Sequence, residues 1–168
     1  MALRCVRELV MVVTAFLLAI CTASPNRSWQ PGDDDNPPPS RTPKTFIVGG
    51  SAKWTYGVNY TDWAIKHSPF YQNDTLVFRY PAPAAKNNIS ESVYLFDPWD
   101  YYSFANCDIG SAFMLASPTD GEGKGFEFKL TYPYSEYMPA LFGSGEGNGT
   151  HCSAGMMRFA VWPLLGSA

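Results

Sequence analysis

Histidine is scarce in this 168-residue chain, with His67 and His151 as its only two, and cysteine numbers four. Nucleophile-and-base catalysis needs a convergent constellation, and so few imidazoles and thiols leave it little to work with. A carboxylate pair is the remaining enzymatic option. Glu91 has Glu122, Glu136 and Glu146 as possible partners, but nothing in their spacing favours a hydrolase arrangement over solvated loop acids. No enzyme is expected. Long apolar runs are also missing: the stretch from Leu9 to Ile20 is too short for a comfortable membrane span. The C-terminal Trp162 to Ala168 offers no spacer and long hydrophobic tail, so no GPI anchor is expected.

What is present begins with a leader. Arg4 and Arg7 precede the apolar run, and small residues follow at Ala23 and Ser24, the pattern of a signal peptide over 1–23. Its removal takes Arg4, Arg7 and Glu8 away and leaves 10 basic and 14 acidic residues, net −4, which argues against nucleic acid. About 145 residues remain, enough for one domain. Cys5 and Cys21 leave with the signal, so Cys107 and Cys152 are expected to bond to each other in an oxidising compartment. Residues 24–44 carry Pro25, Pro31, Pro37, Pro38, Pro39 and Pro43 around Asp33-Asp34-Asp35, with almost no aliphatics. Such a stretch cannot build a core and reads as a disordered, extended leader, its aspartates a solvated charge run.

From Thr45 onward, short aromatic and β-branched runs alternate with Gly, Pro and Asn clusters, the pattern of an all-β domain. Strands are predicted at Thr45 to Gly49, Leu76 to Tyr80, Val93 to Phe96, Phe126 to Tyr132 and Met157 to Val161. Pro139 limits Tyr137 to Phe142 to an edge or a bend. One helix is predicted at Thr61 to Lys66, with Thr61 and Asp62 as cap candidates, and a short turn at Asp100 to Asn106.

Three stretches together resemble the phytocyanins of plants, including the early nodulin-like branch. They are Trp54-x-x-Gly57-Val58-Asn59-Tyr60-x-x-Trp63, Phe70-x-x-x-Asp74-x-Leu76-Val77-Phe78-x-Tyr80, and His151-Cys152-x-Ala154-Gly155-Met156. The resemblance covers 45–161, with 162–168 as a short tail. It implies a cupredoxin-like Greek-key β-sandwich with one or two short connecting helices and copper held by loops at one end. It also implies pairing of Cys107 with Cys152.

The same resemblance locates a degenerate copper site. A blue-copper centre needs two imidazoles and a thiolate in a near-trigonal set with a weak axial ligand. The family's His-x-Val triplet reads Glu91-Ser92-Val93 here, and the stretch Gly143 to Thr150 holds no cysteine. His151 and Met156 keep the spacing of the second histidine and the axial ligand. Glu91, His151 and Met156 are therefore relic positions, and no metal cofactor is expected. The alternative is a copper-binding extracellular electron carrier that uses those three residues as a variant site. His67 reads as a surface residue.

Sequons stand at Asn26, Asn59, Asn73, Asn88 and Asn148, in keeping with secretion to the apoplast, with plasma-membrane association implied by the family alone. Asn59, inside the tryptophan-flanked motif, is expected to be the least accessible. Asn88 and Asn148 each precede a relic position by three residues, where a glycan would obstruct electron-transfer partners. Phe96 to Phe104 mixes aromatics with acids, and core packing is favoured over gripping a sugar or a peptide. The expected product is a monomeric binding or structural component of the cell wall, its partner an extracellular protein or carbohydrate.

Overall fold

The computed structural model describes residues 41–83, 90–131 and 133–165. The signal peptide, most of the proline-rich leader, Asn26 and Asn88 lie outside the described residues. No helix among them is long and apolar enough to cross a membrane.

Among the described residues, seven short strands build two sheets. In the first, β1 (Thr45–Ile47) lies parallel to β2 (Thr75–Phe78), which pairs antiparallel with β5 (Phe126–Lys129). The second runs in the order β4 (Phe113–Ala116), β3 (Val93–Phe96), β6 (Ala140–Gly143), β7 (Arg158–Val161), all antiparallel. Three α-helices among the described residues connect the strands: α1 (Tyr60–His67), α2 (Tyr101–Asn106) and α3 (Thr150–Ser153).

Aromatic rings fill the space between the sheets. Trp54, Tyr60, Phe78, Phe142 and Phe159 are wholly buried, and large rings of this kind dominate core burial. Phe78 meets Trp54 edge-on at 5.3 Å, and Phe142 stacks on Phe159 at 5.2 Å. The aromatics of the first sequence motif are thus structural. Asp74 of the second motif is structural as well: buried completely, it accepts from both terminal nitrogens of Arg41 (2.8 and 3.1 Å) and from the backbone N–H groups of Lys44 and Tyr71.

Several expectations change. Pro139 does not confine its neighbourhood to an edge, because it lies just before β6, and β6 sits inside its sheet between β3 and β7. β4 had no counterpart in the strand assignment. Helix α1 is capped by Asn59, whose side chain accepts from the Asp62 N–H at 3.1 Å; Thr61 and Asp62 lie within the helix. Asp100 caps α2 through the Ser103 N–H, as the turn at 100–106 anticipated. α3 was not anticipated.

A buried carboxylate, imidazole and hydroxyl at one end of the sandwich

The pairing of β3 with β6 assembles this site. Tyr94 stands opposite Gly143, so residues just before β3 meet residues just after β6. That register brings the Gly145 N–H to the Ser92 hydroxyl (3.2 Å) and Ser144 to Glu91. A register shift between Val93 and Tyr94, on the β4 side of the strand, marks a bulge beside the site. Trp54 fixes the same segment by donating its indole N–H to the Ser92 carbonyl at 3.0 Å. Gly145 permits the close crossing, since a Cβ there would lie 2.2 Å from the Tyr94 ring.

His151 arrives on α3. The Cys107–Cys152 bond, with a Cα separation of 5.8 Å, ties that short helix to the end of α2. Gly149, at φ 83, lets the backbone pass the Cys107 carbonyl, which an added Cβ would approach to 2.6 Å. Tyr56 meets the imidazole edge-on at 5.1 Å.

Two side chains converge on one oxygen of a third. Oε2 of Glu91 faces His151 Nδ1 at 3.0 Å and accepts from the Ser144 hydroxyl at 3.2 Å. Glu91 is only 1% exposed, and its other oxygen, Oε1, has no partner among the described residues. Burial pushes the Glu91 carboxyl above its ordinary value of 4.5, against the opposing pull of His151 and Ser144.

A pH dependence follows from that direction. The protonated carboxyl is favoured in the folded protein, so its contribution to stability is complete below the ordinary glutamate value. That contribution is lost as pH rises through the folded value. Glu91→Gln, which copies the shape of the neutral acid, removes this loss. The melting temperature of the variant relative to the unsubstituted protein is therefore expected to rise as the pH is taken from below the ordinary glutamate value upward through the folded one. A constant difference across that range would show that the carboxyl titrates normally.

Glu91 and His151 thus come together, as the sequence positions suggested. Met156 is 43% exposed on left-handed backbone (φ 56), and its neighbour Met157 takes the buried place. Ser144 was missed. Serine carries no signal of its own in a glycine-rich loop; only the β3–β6 register reveals it. The acids weighed as partners of Glu91 are engaged elsewhere or exposed: Glu146 accepts from the Ser90 hydroxyl at 2.6 Å, Glu122 accepts from the Ala82 N–H, and Glu136 lies at the surface. Among the described residues no group of three His, Cys, Asp or Glu side chains stands where it could hold a metal ion.

His67 is exposed, as expected, with Nδ1 at 2.7 Å from the Trp63 carbonyl. Asn59 is a correction. It is exposed rather than shielded, because a helix cap sits at the surface even when its neighbours Trp54 and Trp63 are buried. Asn73 and Asn148 are exposed too, both on left-handed backbone. The segment from Phe96 to Phe104 divides: Phe96 and Phe104 are core, whereas Trp99 and Tyr102 are about four-fifths exposed, at 80% and 78%.

No protein-family model matches the sequence, and no curated protein does. Among solved structures, cucumber stellacyanin with Cu2+ at pH 7.0 superposes with a TM-score of 0.55 at 21% identity, over 74% of this chain and 98% of its own. The chain has a stellacyanin-like cupredoxin fold. Spinach plantacyanin also aligns, with a TM-score of 0.42 and 20% identity over 66% of this chain and 93% of its own. The all-β cupredoxin sandwich expected from the phytocyanin resemblance is therefore the observed architecture. The Glu91 cluster lies at the end of this sandwich where β3 begins and β6 ends.

Proposed function

We propose that this chain is a secreted, phytocyanin-like glycoprotein that serves as a non-redox binding or structural component of the apoplast or cell wall. The observation that carries the reading is the meeting of Ser144 and His151 on the buried Oε2 of Glu91. A blue-copper centre requires a thiolate and two imidazoles, and this cluster supplies a hydroxyl, a carboxylate and one imidazole. The cysteines of the domain, Cys107 and Cys152, are committed to each other. The donor set does not fit blue copper, and the buried acid is held by neighbouring side chains instead.

Catalysis is disfavoured by the same geometry. The Ser144 hydroxyl donates to Glu91, so no serine–imidazole pair is formed to activate a nucleophile. Asn148 supports a surface closed to electron-transfer docking. It is exposed on the turn leading into α3, and a glycan there would stand beside His151.

The test is the metal content and visible spectrum of protein isolated from its natural secretory source. Copper well below stoichiometric, without an intense visible band, is expected. Stoichiometric copper with such a band would instead establish the extracellular electron carrier. Peptide mapping after deglycosylation should find Asn148 modified; an unmodified asparagine removes the steric half of the reading.

A further inference from the structure

A groove of about 620 Å³ lies away from the Glu91 cluster, between α1, α2 and the chain leaving β7. Its walls are Ile65, Phe70, Tyr101, Phe104, Trp162 and Leu164. Surface residues of this kind normally turn such side chains inward, yet Ile65 is 67% exposed, Tyr101 57% and Trp162 48%. The volume falls within the range of roughly 300–1,000 Å³ typical of small-molecule sites.

The walls are fixed before any ligand arrives. α1 packs on β7, with the Thr61 hydroxyl bonded to the Arg158 carbonyl at 3.2 Å. Leu164 is held by backbone bonds to Phe70 and Gln72 at 2.9 and 2.8 Å. α2 is pinned through Cys107, and its Phe104 packs against Phe96 and Tyr101.

One charge lies in this apolar lining. Arg158 borders the groove, and no acidic residue does. Its guanidinium donates to the carbonyls of Phe104 and Ala105 and to the Cys107 sulfur, all neutral acceptors, and forms no ion pair among the described residues. The nearest acid on α1, Asp62, is paired with Lys66 at 2.6 Å. Partly buried guanidinium groups are normally matched by a carboxylate or phosphate, for which their planar fork is suited.

We infer that this groove binds an amphipathic organic carboxylate, its apolar body lying against Ile65, Phe70 and Trp162 and its carboxylate facing Arg158. Charge complementarity selects the head group, and the apolar walls select the body. The site is independent of any metal.

Decanoate, kept below its micelle-forming concentration, is the probe, with decanol as the uncharged molecule of the same chain length. Isothermal titration calorimetry is expected to show saturable binding of decanoate and at least about tenfold weaker binding of decanol, the scale of one charge-assisted contact. Arg158→Gln should bring decanoate down to the level of decanol, while Arg158→Lys retains the preference. Because Arg158 also supports α2, Ala105→Trp is a second variant: it places bulk at an exposed helical position on the groove wall and should block both probes without lowering the melting temperature. Absence of saturation, equal affinity for the two probes, or an unchanged Arg158→Gln titration overturns the inference. A concentration-dependent dimer in sedimentation, with no decanoate binding, would assign the groove to a second copy of the chain and overturn it as well.

Discussion

Serine at both Cys107 and Cys152 is expected to lower stability by about 4 kcal/mol, because the bond closes a loop of 45 residues and removes that loop's freedom from the unfolded chain. For a domain of this size the melting temperature should fall by roughly 15 °C. The damage is not confined to the unfolded state. Both cysteines are buried, Cys107 ends α2 and Cys152 lies within α3, so the bond also holds His151 toward Glu91. Thermal melts of the oxidised protein and the double serine variant measure the loss. A shift of only a degree or two would mean that the aromatic core alone carries the fold.

A gain is expected from the second change. Glu91→His combined with Ser144→Cys should give a protein that takes up copper(II) with an intense visible band. The reason is geometric: Ser144 Oγ and His151 Nδ1 both lie against one oxygen of Glu91, at 3.2 and 3.0 Å, so the three side chains surround a single point. An imidazole at position 91 and a thiol at position 144, beside the retained His151, supply the two nitrogens and the sulfur that a blue centre requires. The new thiol must remain free, which a thiol count and an intact Cys107–Cys152 bond would verify. A folded variant with a free thiol and no band would show that these three positions do not correspond to a copper-binding set.

The parts of the fold that were legible in the sequence are those where burial follows a simple rule. Val93–Phe96 was read at its observed bounds, and the alternation of Phe126 and Phe128 marks β5. β4 escaped because its residues break the rule: Phe113 is apolar yet 71% exposed, at the edge of its sheet, so no buried face appears in Phe-Met-Leu-Ala. Pro139 misled in the opposite direction. A proline one residue before a strand costs no ladder hydrogen bond, and only the boundary at Ala140 decides which case applies.

The site was legible where one residue type replaces another of distinct chemistry. A glutamate at a histidine position and a retained histidine are visible without coordinates. A serine within a glycine-rich loop is not, because its role comes from pairing with a strand some fifty residues earlier. Accessibility of Asn59 was misjudged for a related reason: sequence neighbours share a motif but not a direction, and the helix start turns this side chain outward.

The most direct measurement is a copper(II) titration of the purified, unsubstituted protein followed by visible absorption, run beside the Glu91→His/Ser144→Cys variant. The unsubstituted protein should remain without an intense thiolate-to-copper band while the variant develops one. An intense band in the unsubstituted protein would contradict the assignment of Glu91, Ser144 and His151 as a hydrogen-bonded cluster in place of a blue-copper centre.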